Sequence, residues 1–328
     1  MYNSNEDLFK NKKLKDILEE IEKIRDSSEC LFKDIKVKCE YCKNKKLSKN
    51  HMIQKSNYLK SISQNGKVMT SNIEEKDFYI YGRKLKETSI KKAQRYKVLC
   101  SAHDKDLFKN IENGEKFDKN NKAQCFEFAL RAFIFDYSQQ IMKSNFSFRK
   151  IWDKRHEYEL RYYHENFLRL KEYYINNDWD SIESYVIKLD KKISFISCCY
   201  IYPLVDFKKK YKGYIKEKIF LNVFPNERES FILISYFKND KQCKKLCDQF
   251  DKMLRKNYDL EEYFNKIIAS QDKNLVINPK WWKVLSDEEQ KDFYSYSCMM
   301  KRCSLKNLSK LLFKLKFKKA KFNLFQEV

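Results

Sequence analysis

"CEYCKNKKLSKNHMIQKS", residues 39–56, decides how the rest of the chain is read. Two cysteines stand three positions apart, eight residues intervene, and then comes one of only four histidines in the chain. A C-x2-C pair lets two thiolates reach one metal ion from a single tight knuckle. One such pair alone is weak evidence. In "LCSAHDKDLF", residues 99–108, Cys100 is followed three positions on by His103, which supplies a second half-site. A tetrahedral zinc ion takes four ligands of these types. Cys39, Cys42, Cys100 and His103 are therefore the expected structural zinc set.

The residues between the halves read as short strands. "IKVKC" (35–39) alternates on one side of the knuckle, and "LSKNHMI" (47–53) leaves it on the other. "SNYLKSIS" (56–63) suits a short helix, "NGK" (65–67) a turn, and "VMT" (68–70) and "FYIYG" (78–82) strands. From Ala102 the pattern turns helical, with Gly114 as its stop. Knuckle, hairpin, helix is the order of a treble clef.

Outside this region the chain divides into two further parts. Leu14, Ile17, Leu18, Ile21 and Ile24 recur at helical spacing, so a helix is expected over 1–34. The zinc-binding module is expected over 35–117, and a mainly helical region over 118–328. In that last region, residues 124–142 and 148–177 read as long helices, and Asp178 as the cap of another through "DWDSIESYVIKL". Strands are expected near 193–205, 218–225 and 230–237, the last two at hairpin spacing, and helices over 240–255, 259–269 and 280–296. The fold class is thus α+β, a treble-clef or ββα-metal-like zinc module followed by a mostly helical region with a small antiparallel sheet.

"NHMIQKSNYL", "NGKV" and "LCSAHDKDLFKNIEN" resemble stretches of a bacterial group described as HNH-endonuclease-like, with an SH-x-I-P-(K/R)-S-x-L segment and a later FC-x2-HD-x2-LF-x2-IE segment. The resemblance covers roughly residues 36–113. It implies a metal-dependent nuclease that hydrolyses phosphodiester bonds of DNA, with defence against phage or mobile DNA as a plausible setting. Carried over, His51 would be the general base, Asp104 a ligand of a catalytic Mg²⁺ or Mn²⁺, and Asn50 the residue at the neighbouring ligand position. The zinc ligands fall on Cys39, Cys42, Cys100 and His103. Asn50 departs from the pattern, which has a charged residue or a histidine there. His51 is also readable as an alternate zinc ligand, and the whole module as a non-catalytic zinc finger that binds nucleic acid or a protein partner.

The remaining residues narrow the field. A formal net charge of +23 favours polyanionic partners, nucleic acid first, although a lysine-rich codon bias leaves the same surplus. The basic surface is expected to include the run from Lys301 to Lys321, where lysines interleave with apolar residues. Four glycines in all leave no room for a Gly-rich phosphate cradle, and no dinucleotide fingerprint or G-x-S-x-G is present. No apolar h-region and no run of roughly 18 apolar residues is visible, so the expectation is a cytoplasmic chain whose eleven cysteines are metal ligands or core residues rather than disulfides. Cys243 and Cys247 read as a buried helix face, Cys198 and Cys199 as strand neighbours facing opposite sides, and His156 and His164 as members of a solvated helix face.

Overall fold

The structure, a computed structural model, describes residues 29–33, 35, 39, 42, 47–71, 85–146, 154–201, 218–255, 259–271, 274–301 and 318–327. The helix expected over 1–34 lies outside them except for its last residues, as do most of 35–39 and all of 78–82. The first strand, β1, is Asn50–His51. A π-helical turn over Lys55–Leu59 follows, as the short helix of the sequence reading required. Asn65 and Gly66 both take positive φ, 51° and 70°, and close a two-residue turn in which Gln64 and Lys67 exchange both backbone hydrogen bonds. Only residues that tolerate the left-handed region fit such a turn. Then come β2 (Lys67–Thr70), β3 (Lys86–Ser89) and β4 (Arg95–Tyr96).

Helix α1 is Ser101–Leu107 and α2 is Lys109–Glu112, separated at Phe108. Gly114 at φ 81° ends the helical run, as expected. The two long helices are α3 (Lys122–Phe146) and α4 (Lys154–Ile175). Four more strands follow: β5 (Ile182–Leu189), β6 (Phe195–Ile201), β7 (Ile219–Asn226) and β8 (Glu229–Phe237). The last described elements are α5 (Lys241–Arg255), α6 (Leu260–Ser270), β9 (Leu275–Ile277), α7 (Pro279–Val284) and α8 (Asp287–Lys301). Among the described residues no helix is long and apolar enough to cross a membrane.

Seven strands form one sheet in the order β3-β2-β9-β6-β7-β8-β5, and every pair is antiparallel. Its central strands are buried at every position of β6 and almost every position of β7 and β8 because both faces are covered. Cys198, Tyr200, Phe220, Phe224 and Leu233 face one core, shared with α3, α4 and the residues around Cys100. Cys199, Ile201, Leu221, Val223 and Ile234 face the other, shared with α5 to α8 and with Phe322, Leu324 and Phe325. The α+β class holds, and so do the opposed Cys198 and Cys199 and the buried Cys243 and Cys247.

The sheet is larger than the small one expected, because the β2–β3 hairpin joins it through β9, with Met69 opposite Ile277. "LVI" is too short for a sequence pattern to reveal and is held by partners on both sides. The helix expected after Asp178 is instead a single 3-10 turn, Trp179–Ser181, and then β5. Eight consecutive pairs with β8 outweigh the local pattern there, and Val186 and Ile187 are β-branched residues suited to them. The helix expected over 280–296 is two. Ser286 caps α8, its Oγ accepting from Glu289 N while Glu289 Oε2 accepts from Ser286 N, a reciprocal capping box.

Helix α3 runs between these parts and is buried from Gln124 to Ile141. Its polar residues face α2 and the loop after it. Gln124 donates to the carbonyls of Asn110 and Lys116, Glu127 accepts from the N–H groups of Asn110 and Ile111, and Arg131 pairs with Glu112. The boundary expected at 117/118 falls in the connection leading to α3, and residues on both sides of it share one core.

Candidate metal centre

Helix α1 begins at Cys100, whose extended backbone (φ −78°, ψ 162°) makes it the N-cap and whose Sγ accepts from His103 N. That geometry turns the Cys100 thiol and the His103 ring to the same side of the first turn. His103 Nδ1 lies 3.2 Å from Cys100 Sγ, 3.2 Å from Cys42 Sγ and 3.4 Å from Cys30 Sγ. Cys42 Sγ lies 3.6 Å from Cys100 Sγ. The four donor atoms of Cys30, Cys42, Cys100 and His103 all fall within 4.8 Å of one another. Zinc with ordinary Zn–S and Zn–N bonds holds tetrahedral donors about 3.5–3.8 Å apart, so this group could hold a zinc ion.

The donor chemistry fits as well. Cys30, Cys100 and His103 are 4%, 0% and 2% exposed, which closes the site on the protein side as structural zinc sites are closed. Burial lowers the proton affinity of His103 and so favours the neutral ring that a metal requires. Burial also pushes the Cys30 thiol up to about 11 and raises Cys42 further, so without a cation these thiols stay protonated.

Sequence reasoning missed Cys30. It stands at the end of a run read as an amphipathic helix, where a cysteine passes for a core residue, and its spacing to Cys39 matches no ligand motif. Its approach to the centre is fixed by the backbone: Leu31 N donates to Val98 O, and Cys100 N lies 3.4 Å from Cys30 Sγ. The expected ligand Cys39 is close by, its Sγ 3.4 Å from that of Cys100, and Cys42 N donates to Cys39 O across the knuckle. Five donors thus crowd a site that needs four.

The other expected site residues lie on β1 and α1. Strand β1 pairs with β4, Asn50 opposite Tyr96 and His51 opposite Arg95. Asn50 is 5% exposed, its amide donates to Ser48 Oγ at 2.9 Å, and it lies close enough to the Asp104 carboxyl to lower its proton affinity; Tyr96 donates to Asp104 Oδ1 at 3.4 Å. Burial raises the Asp104 carboxyl above its ordinary value, and the charge of Arg131 and the nearby Asn50 side chain oppose that rise. Arg131, 1% exposed, stacks its guanidinium 3.9 Å over the Phe108 ring. Asn50 and Asp104 are therefore brought together. Successive strand residues face opposite sides, so His51 projects away from that pair. Its Nδ1 lies 3.0 Å from Ala93 O. A carbonyl only accepts, so Nδ1 carries the proton and Nε2 is the basic nitrogen of the neutral ring.

His164 departs from expectation. It is fully buried, with Nδ1 3.0 Å from the Tyr137 hydroxyl, rather than on a solvated face; the side chain of His156 lies outside the described residues. Of the basic run from Lys301 to Lys321, residues 302–317 lie outside the described set. Lys321 engages Glu288, and the adjacent Phe322, Leu324 and Phe325 are buried in the core.

Comparison with protein-family profiles, with curated proteins and with solved structures gives no match.

Proposed function

We propose that Cys30, Cys42, Cys100 and His103 hold one structural zinc ion, and that the treble-clef-like module it closes is an HNH-like nuclease domain acting on DNA. The zinc would tie three pieces of chain together, the arm at Cys30, the knuckle at Cys42 and the start of α1. In this reading it takes no part in hydrolysis, because all four of its positions are filled by protein.

The observation that carries the nuclease reading is the proximity of Asn50 to the Asp104 carboxyl beside the start of α1. These are the two positions that the HNH resemblance assigns to a catalytic cation. Their oxygens suit a hard ion, and Mg²⁺ or Mn²⁺, when bound, would stabilise charge on the phosphoryl and leaving oxygens. The resemblance gives the base role to His51, whose Nδ1 lies 3.0 Å from the Ala93 carbonyl. Strand alternation puts its ring on the opposite face of β1 from Asn50, so the nuclease reading requires the ring to swing round the end of β1 to meet a water on that cation. Defence against phage or mobile DNA is the setting this activity suggests.

A second reading, a non-catalytic zinc module that binds nucleic acid, is favoured by Arg131. Its positive charge acts on the same Asp104 carboxylate that a second cation would need, and burial already raises that carboxyl. Plasmid cleavage in Mg²⁺ and in Mn²⁺ separates the two. The nuclease reading expects activity that His51→Ala abolishes with zinc content and melting temperature unchanged. An inactive wild type with full zinc content leaves the binding module as the function.

A further inference from the structure

The β1–β4 ladder has an inner and an outer face. Asn50 and Tyr96 point inward, both buried. By strand alternation His51 on β1 and Arg95 on β4 point outward, and Lys49 and Lys97 immediately flank the two strands. Lys49, Arg95 and Lys97 are exposed and His51 is half-buried. The register puts His51 opposite Arg95, and Lys49 and Lys97 flank the other end of the ladder, next to the Asn50–Tyr96 pair. Lys91 and Lys92, also exposed, extend the row on the turn that leads into β4.

Among the described residues no carboxylate forms an ion pair with Lys49, Lys91, Lys92, Arg95 or Lys97. Glu87, the one acid among the described residues between Lys49 and Lys97, is engaged by Lys67 and Lys283. Elsewhere exposed lysines do have partners, Lys116 with Glu227 and Lys188 with Glu229 among them. A uniformly basic face of this kind is complementary to a row of phosphates.

Among the described residues the face presents cations and no exposed ring. Binding of unstacked single strands relies on exposed aromatic rings as stacking platforms. The large hydrophobics exposed among the described residues are Leu168, Ile175, Leu254 and Val284, with no aromatic side chain among them, and Tyr96 is turned inward. Insertion into a membrane surface would need apolar side chains on the same face. Those four exposed residues lie on other elements.

We infer that the outer face of the β1–β4 ladder, His51 and Arg95 with the flanking Lys49 and Lys97 and with Lys91 and Lys92 beside them, seats the phosphate backbone of duplex DNA. The inference rests on the nucleic-acid reading above but not on cleavage. It gives the centre a division of labour: the zinc cluster anchors β4 through Cys100, and the ladder presents His51 amid the cations that hold the backbone.

The test uses the full chain with its zinc and a fluorescent DNA duplex of mixed sequence, with affinity measured across a series of salt concentrations. The combined variant Lys49→Gln, Arg95→Gln, Lys97→Gln should bind at least ~10-fold more weakly, and its log–log salt slope should be shallower by about 2–3, from roughly 0.9 per lost phosphate contact. A control with the same change in charge on α5, Lys241→Gln, Lys244→Gln, Lys245→Gln, should keep the wild-type slope. If the triple variant loses zinc or melts early, the pair Arg95→Gln, Lys97→Gln should still lower the slope by about 2. A wild type that binds, with ladder and control variants shifted equally, overturns the assignment of the face and leaves the nucleic-acid reading standing. A wild type that does not bind the duplex at low salt, or that binds phosphatidylserine vesicles instead, overturns both.

Discussion

Cys30 Sγ lies 3.4 Å from His103 Nδ1, although 73 residues separate them in the chain. The contact joins the arm before the knuckle to the first turn of α1. The adjacent Phe32 then packs edge-on against Phe167 and Tyr174 of α4, with ring centroids 5.5 Å and 6.1 Å apart. A metal at this point would fasten the zinc-binding region to the long helices as well as close a knuckle.

The thiols should not be equivalent. Cys30→Ser and Cys100→Ser should each lose zinc and fold poorly, because metal affinity at such a site is folding free energy. Cys39→Ser should retain zinc, since Cys39 lies outside the group of four mutually close donors. Zinc content of the purified variants decides this. Loss of zinc from Cys39→Ser with retention in Cys30→Ser would restore the set expected from the C-x2-C motif.

Arg131 should be a stability determinant. It is buried, pairs with Glu112, and its charge also acts on Asp104 and Glu127. Removing one partner of a buried ion pair leaves uncompensated charge and typically costs ~3–5 kcal/mol. Arg131→Met should therefore lower the urea midpoint markedly. A midpoint within error of the wild type would show that the pair contributes only packing.

Glu127 should make stability fall as pH rises through neutrality. Burial pushes its carboxyl up to about 7, from 4.5 for the free group. Between those values the folded chain binds more protons than the unfolded one, so each step up in pH favours unfolding, by up to about 3 kcal/mol across the window. Glu127→Gln should flatten that part of the dependence. Denaturant titrations of both proteins at about pH 5 and about pH 8 measure it, and parallel pH profiles would refute the assignment.

Asp104→Ala distinguishes a metal-ligand role from a packing one. If Asp104 holds a catalytic cation, the variant should lose cleavage and recover part of it at raised Mn²⁺, whereas His51→Ala, lacking the base, should stay ~10²–10⁴-fold slower at any metal concentration. Equal failure of both at every concentration, with a lowered melting temperature for Asp104→Ala, would make the placing of Asn50 beside Asp104 structural.

Much of this was legible in the sequence where a residue type has one common use. Paired cysteines, a cysteine and histidine at a helix start, and Asn65–Gly66 at a turn all announce themselves. Cys30 did not, because a ligand contributed from outside the motif looks like any other small apolar residue. Strand β5 was hidden because its pattern also suits a helix and only β8 decides between them. The Ser286–Glu289 capping box was visible in "SDEE", but the run of helix-compatible residues around it masked the break. His164 misled because charged neighbours suggested solvent, while its own side of α4 packs against Tyr137.

The central claim is a closed four-ligand zinc centre, and X-ray absorption combined with elemental analysis on protein purified without added metal tests it most directly. The account predicts about one zinc per chain, with three sulfur ligands near ~2.3 Å and one nitrogen near ~2.0–2.1 Å. Metal-free protein that folds with unchanged stability would contradict it.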